Sequence, residues 1–66
     1  MKFIKLHDAE LKNEPLIIIN IMSIERFLCH KKGAIIYFNS GERYLIVIER
    51  PEYIVKQIDL LYGTVK

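Results

Sequence analysis

The sequence predicts a small α+β domain that is mainly β, with five antiparallel strands and one C-terminal helix. The strands are expected to form a meander or a small, partly open barrel. Apolar residues make up 52% of the 66 residues, and most of them stand in short runs of β-branched and aromatic residues separated by turn residues. After Pro51, in contrast, the apolar residues recur at helical spacing. The length leaves room for a single domain, residues 1–66.

The first two strands are predicted on either side of a polar loop. Residues 3–7 alternate between apolar and basic or polar side chains, which predicts a strand with Ile4 and Leu6 inward. The segment that follows is polar and predicts a loop. Pro15 then suits the start of a strand, because proline lacks a backbone donor. Residues 16–19 are four large aliphatic residues in succession, which predicts a second strand with both faces buried.

A short helical turn is predicted between the second and third strands. Asn20 breaks the aliphatic run, and its side chain suits an N-cap because it accepts a hydrogen bond from a nearby backbone N–H. The third strand is expected over residues 24–29. Residues 30–33 are expected to form a hairpin loop in which Gly33 takes a positive φ.

The fourth and fifth strands are predicted to form a hairpin. Residues 34–38 are apolar or aromatic, and residues 39–41 are Asn-Ser-Gly, a pattern typical of tight turns. The fifth strand is expected over residues 43–49, and its side chains alternate between two faces. These faces are expected to carry Tyr44, Ile46 and Ile48 on one side and Leu45 and Val47 on the other. Neither face is clearly polar.

A helix is predicted over residues 51–62. Pro51 suits the first helical position, and Glu52 complements the positive end of the helix dipole. Gly63 follows the last periodic residue, where a helix stop is expected. The apolar stripe consists of Ile54, Val55, Ile58, Leu61 and Tyr62. Each strand is expected to lie beside its sequence neighbour, with the helix on one face of the sheet.

The apolar content exceeds what a lone domain of this size is expected to bury. A domain of about 60 residues buries only about 60% of the surface that its unfolded chain exposes, and contiguous apolar surface marks interfaces in soluble proteins. The sequence therefore predicts a non-catalytic protein–protein interaction module that forms homo-oligomers, with a different protein as the alternative partner. The predicted interface residues are Ile17, Ile19, Phe27, Leu45 and Val47.

Few residues suit catalysis or cofactor binding. Cys29 and His30 are adjacent, and neighbouring strand residues point to opposite faces, so the lone cysteine is interpreted as a small buried apolar group and His30 as an exposed loop residue. His7, Asp8 and Glu10 lack the spacing of a metal site. The three glycines are isolated and form no phosphate-binding loop. The sequence predicts no enzyme, no cofactor and no metal.

Nucleic-acid binding is the alternative function. Ten Lys and Arg against eight Asp and Glu give a net charge of +2, a weaker positive charge than dedicated nucleic-acid binders carry. Small β-barrels nevertheless bind RNA or single-stranded DNA by stacking bases on aromatic side chains flanked by cations. The residues proposed for such a face are Lys31, Lys32, Arg43 and Tyr44, with Lys5, Arg26 and Tyr37 as neighbours.

The expected location is the cytoplasm. The chain has one cysteine and no secretory pattern at its start, which favours a reducing compartment. No stretch approaches the ~18 consecutive apolar residues of a membrane span, so membrane insertion is not expected.

Residues 34–49, followed by a short helix, show an apolar strand, a turn with Asn and Gly, and a Tyr-bearing strand that ends near Val and Glu. This pattern resembles the FlbD (swarming-motility, SwrD) family of small bacterial proteins, whose helix carries Val or Ile at its core positions. Residues 3–6 match the opening strand of the family, and residues 19–25 match its "IN…I…IE" stretch. The resemblance implies that fold and a role in bacterial motility.

The chain departs from the family pattern at several positions. Ser40 separates Asn39 from Gly41. Glu49 lies one position further from the glycine, Pro51 stands near the usual serine cap, and the early glycine of the first loop is missing. A CsrA-like RNA-binding dimer also has five short strands and a C-terminal helix, so it is a rival by architecture alone.

Overall fold

The structure is a computed structural model that describes residues 2–41 and 43–63. It has five strands in two antiparallel sheets and one C-terminal helix, so the predicted fold class is confirmed. A 3-10 turn, Ile21–Ser23, connects the two sheets. The elements are β1 (Phe3–His7), β2 (Leu16–Asn20), β3 (Ile24–His30), β4 (Gly33–Phe38), β5 (Tyr44–Val47) and α1 (Pro51–Tyr62).

The two sheets meet at the C-terminal ends of β1 and β5. β1 pairs with β2, and β3, β4 and β5 form the second sheet in that order. The prediction that every strand lies beside its sequence neighbour is therefore wrong for β2 and β3, because the 3-10 turn leads the chain out of one sheet and into the other. An isolated bridge joins Asp8 to Val47, and the Ala9 N–H donates to the Ile46 carbonyl at 2.8 Å. The described strands do not close into a barrel.

The β1–β2 hairpin buries only one of its faces. Ile4 and Leu6 are buried, as predicted, and lie opposite Ile19 and Ile17 in the antiparallel register. On the other face, β2 exposes Ile18 to solvent. The prediction that both faces of β2 are buried is wrong within one chain, since the core of the described residues lies on the inner face alone.

The 3-10 turn between β2 and β3 forms as predicted. The Asn20 Oδ1 accepts from the Met22 N–H at 3.0 Å, and the Asn20 carbonyl accepts from the Ser23 hydroxyl at 2.7 Å. The Asn39 Nδ2 donates to the Met22 carbonyl at 2.7 Å. The turn after β4 is therefore held against the turn before β3.

Two glycines meet different structural requirements. Gly33 begins β4 with a φ of 156°, the positive value that was predicted, and an added Cβ would overlap the backbone of Val47 and Ile48. Gly41 has a φ of 82°, and an added Cβ there would meet nothing within 4 Å. Gly33 thus permits a close approach of β4 to the end of β5, whereas Gly41 permits only a left-handed turn.

The helix α1 has the predicted bounds. Pro51 begins it, and Gly63 ends it in the left-handed conformation with a φ of 64°. Ile54 is buried in the core, and Ile58 packs against that core. Leu61 and the remaining apolar residues of the stripe are exposed. The principal packing partner of α1 is β3.

One apolar core joins the two sheets and the helix. Every strand except β3 contributes at least one buried side chain, and β3 packs Phe27 and Ile24 against them. Because the cluster draws on both sheets, neither sheet has a core of its own. The buried cluster consists of Ile4, Leu6, Ile19, Ala34, Ile36, Val47 and Ile54.

Candidate interaction surfaces

The five residues predicted for the interface all lie on the inner faces of the sheets. Ile19 and Val47 are buried in the core, and Ile17, Phe27 and Leu45 are partly buried against it. Within one folded chain the side chains of Ile19 and Val47 are therefore inside, and their role in an interface stays a prediction. The reason is that the apolar faces of both sheets and of the helix pack on one another. The three partly buried residues border the core and stay predictions.

The apolar surface of the first sheet lies on its other side. We define the outer β2 face as Phe3, Leu16 and Ile18. Leu16 is 54% exposed and Ile18 is 60% exposed. Ile18 lies opposite Lys5 and Leu16 lies opposite His7 in the β1–β2 register, so two large aliphatic side chains stand in solvent beside a lysine and a histidine.

The sequence did not distinguish this face of β2 from the inner one. Leu16, Ile18 and Asn20 share one face of β2 because side chains alternate along a strand. Asn20 is the polar residue of that face, but it is half-buried beside the 3-10 turn and does not mark the face as the exposed one. The interface prediction instead used Ile17 and Ile19, the apolar residues on the other face of β2.

The three-stranded sheet also has an outer face, with two rows of side chains. One row consists of Leu28, Ile35 and Ile46, and the next consists of Arg26, Tyr37 and Tyr44, each residue directly opposite its neighbour in the register. The Tyr37 and Tyr44 ring centroids are 6.3 Å apart, and the Arg26 guanidinium lies 4.3 Å from the Tyr37 centroid. This face thus presents two neighbouring tyrosine rings, tilted by 55° to each other, and a cation.

The residues predicted for nucleic-acid binding fall into two separate groups. Tyr44 and the exposed Arg43 lie with Tyr37 at one end of the sheet, whereas Lys31 and Lys32 form the tip of the β3–β4 hairpin at the other end. Four residues of β4 separate these ends, a distance of about 14 Å. The Lys32 Nζ lies 3.7 Å from a Glu10 carboxylate oxygen, so one hairpin-tip lysine already faces an acid.

A polar contact at the junction of the sheets was not anticipated. The Glu49 Oε2 lies 2.7 Å from the His7 Nδ1, and the Glu49 Oε1 accepts from the His7 backbone N–H at 3.0 Å. The Glu49 side chain is 13% exposed. Both carboxylate oxygens therefore tie the end of β1 to the segment between β5 and α1. The two residues are distant in sequence, and no local pattern indicates their contact.

The other polar residues considered for chemistry have separate partners. Cys29 is exposed, contrary to the prediction of a buried cysteine, and its Sγ lies 3.8 Å from the Arg50 Nη1. His30, expected in an exposed loop, is half-buried at the end of β3, and its Nδ1 accepts from the Lys32 N–H at 3.1 Å. In the described part of the chain, no three His, Cys, Asp or Glu side chains are grouped as metal ligands.

Comparisons with protein-family models, curated proteins and solved structures gave no match for this chain. The function is therefore argued from the surfaces described above. Within residues 2–41 and 43–63, no helix has the length and apolar character needed to cross a bilayer.

Proposed function

We propose that this chain is a non-catalytic protein–protein interaction module that works as a homo-oligomer in the bacterial cytoplasm. The observation that carries the proposal is the outer β2 face, where Leu16 and Ile18 are more than half exposed on a strand with no charged residue. Full burial of one such side chain is worth about 1.5–3 kcal/mol. Covering this face with another chain recovers part of that free energy for each copy.

The oligomeric state of the purified chain tests the proposal. Multi-angle light scattering and sedimentation equilibrium are run over protein concentrations from about 1 µM to about 1 mM, which covers the range of weak to moderate affinities. The weight-average mass is expected to rise with concentration to a multiple of the chain mass. A mass that stays at that of one chain across the whole range would contradict the proposal.

The resemblance to the FlbD family supports motility as the cellular process that such a module serves. Deletion of the gene in a motile host is expected to reduce swarming, and expression of the chain in trans is expected to restore it. Unchanged swarming in the deletion strain would remove motility from the proposal while leaving self-association untouched.

A second candidate function is the binding of RNA or single-stranded DNA, and the outer face of the three-stranded sheet supports it. Exposed Tyr44 lies beside Tyr37, and Arg26 covers the Tyr37 ring. Stacking of a base on an aromatic side chain is worth about 1–3 kcal/mol. Bases would stack on this row of the described surface. Arg43 directly precedes Tyr44 in the chain.

Fluorescence anisotropy with mixed-sequence oligonucleotides tests this second candidate. Tyr44→Ala is expected to weaken binding about fivefold or more, and the affinity is expected to fall as salt rises. Leu60→Ala on the helix is the control, because it removes an exposed apolar side chain away from the sheet. If no salt-dependent binding is measured, nucleic-acid binding is excluded and the interaction module is the remaining function.

A further inference from the structure

β2 is the outermost strand of its sheet, with β1 on one side and no strand on the other within the described part of the chain. Two hydrogen bonds beside the β1–β2 ladder show which backbone groups face the open edge. The Asp8 N–H donates to the Pro15 carbonyl at 3.0 Å, and the Ile21 N–H donates to the Lys2 carbonyl at 3.1 Å. Because hydrogen-bonded and non-hydrogen-bonded pairs alternate in an antiparallel ladder, the Ile18 N–H and C=O point away from β1.

The open edge of β2 lacks the features that block strand pairing. Charged side chains, bulges, prolines or a covering helix normally prevent an edge strand from pairing with another chain. The five residues of β2 carry no charge and no proline, its register with β1 is regular, and α1 packs chiefly against β3. The edge is therefore competent to accept another strand.

A second copy of the chain fits this edge because Ile18 is the central residue of β2 and has an isoleucine on either side. Antiparallel pairing centred there places Ile18 opposite Ile18 of the second copy, where the two residues exchange two backbone hydrogen bonds. Ile17 then lies opposite Ile19 of the second copy on the inner face. Ile17 is only partly buried in one chain and Ile19 belongs to its core, so this pairing joins the cores of the two chains.

The charges near the edge tolerate this arrangement. The nearest lysine across the ladder is Lys5, directly opposite Ile18 on β1. In a four-stranded sheet made by two copies, the two Lys5 residues are three strand spacings apart, about 14 Å. This exceeds the Debye length of about 8 Å at physiological ionic strength, so their repulsion is largely screened.

We propose that two copies form an isologous dimer by antiparallel pairing of β2 with β2 about a two-fold axis at Ile18. The inference rests on the proposed function of self-association and names the edge of β2, beside the outer β2 face, as the contact between the copies. Pairing of one five-residue strand buries less than the ~1,200 Å² of a standard stable interface. A dissociation constant of about 1–100 µM is therefore expected rather than a nanomolar one.

Charge reversal at position 18 tests the self-pairing of this residue. Ile18→Lys and Ile18→Glu, each alone, are expected to raise the dimer dissociation constant at least about tenfold, because like charges then lie directly opposite one another. An equimolar mixture of the two variants is expected to dimerise again, as a heterodimer. Sedimentation equilibrium measures the constants, and native mass spectrometry identifies the heterodimer.

Leu60→Lys is the matched control, since it places the same charge at a helix position that is 66% exposed. Its dissociation constant is expected to equal that of the unmodified chain. Variants that dimerise like the unmodified chain, or a mixture that stays monomeric, would overturn the β2 interface while leaving the proposed function intact. An unmodified chain that never dimerises would overturn both.

A disulfide scan gives a second measurement that does not depend on introduced charge. In the Cys29→Ser background, Ile18→Cys is expected to form a covalent dimer with oxidised glutathione, because the paired Cα atoms would lie about 5.5 Å apart, within disulfide range. Leu60→Cys in the same background is expected to cross-link far less. Equal cross-linking of the two variants would contradict the two-fold axis at Ile18.

Discussion

Two edge strands of the described sheets, β2 and β3, differ in how they meet solvent. β3 carries Glu25 and Arg26, whose side chains lie 3.1 Å apart, and its register with β4 is irregular between Ile24 and Arg26. The helix α1 also packs against β3. β2 has an uncharged sequence and a regular ladder. One edge thus carries charges and an irregular register, and the other has neither.

The difference shows how one edge strand of a small β-rich chain is blocked while another is left open. A molecule with two open edges adds strands at both sides and grows without end, whereas a molecule with one open edge stops when two such edges have met. If two copies pair through β2 as proposed, the charges and the irregular register of β3 disfavour further strand addition at that strand. Four variants, two of them with double substitutions, test this contrast.

The largest effect is expected from Leu45→Lys combined with Val47→Glu, which places charges on the inner face of β5. Val47 is completely buried, and an unpaired charge there costs several kcal/mol. The whole stability of a chain of 66 residues is about 3–10 kcal/mol, so the variant is expected to be unfolded by circular dichroism.

The control for this double change is Val55→Glu combined with Leu60→Lys, on exposed positions of α1. It is expected to keep the fold, within about 1 kcal/mol of the unmodified chain. A folded but monomeric Leu45→Lys, Val47→Glu variant would move the interface from β2 to β5.

A smaller loss is expected from Gly33→Ala, which disturbs the position of the β3–β4 hairpin and so of the protected edge. The new methyl group overlaps the backbone at the end of β5, and the free energy of unfolding is expected to fall by at least about 2 kcal/mol. Gly41→Ala is the comparison, because it meets only the cost of a positive φ, about 1 kcal/mol. Urea unfolding measures both; equal losses would show that the approach of β4 to β5 is not tight.

Glu49→Ala tests the junction that connects the open-edged sheet to the other one. The change removes both oxygens that bind His7, and it is expected to cost about 1–2 kcal/mol of unfolding free energy. Glu25→Ala removes an exposed carboxylate from β3 and is expected to cost less than about 0.5 kcal/mol. A larger loss of unfolding free energy for Glu25→Ala than for Glu49→Ala would mean that the His7 contact does not hold the sheets together.

The smallest effect is expected from Glu25→Thr combined with Arg26→Thr, which strips the charges from the protected edge. The irregular register of β3 remains and the β2 edge is unchanged, so the dissociation constant of the proposed dimer is expected to change less than about threefold. Sedimentation velocity measures the size of the species that this variant forms. Species larger than the dimer would show that the two charges alone keep β3 closed.

Much of the fold could be predicted because its signals are local. Pro51 and Gly63 bound the helix, Asn20 caps the 3-10 turn, and the alternation of Ile4 and Leu6 marks the inner face of β1. Each of these signals acts through the backbone of its own segment, so it does not depend on what packs nearby. The pairing of strands is different, because the turn at Ile21–Ser23 permits either a continued sheet or a new one.

The candidate surface was harder to predict, for a physical reason visible in β2. All residues from Leu16 to Ile19 are apolar, so the hydrophobic pattern does not distinguish the two faces of the strand. The contact of Glu49 with His7 likewise depends on the meeting of distant segments.

Composition and local propensity were sufficient for the kinds of elements and their order along the chain. Tertiary packing alone selected which aliphatic side chains enter the core and which remain in water. It also left the β2 edge without a neighbouring strand in the described part of the chain. The physical reason is that burial is decided by the neighbours a face acquires in three dimensions, and a strand apolar on both sides carries no preference between them.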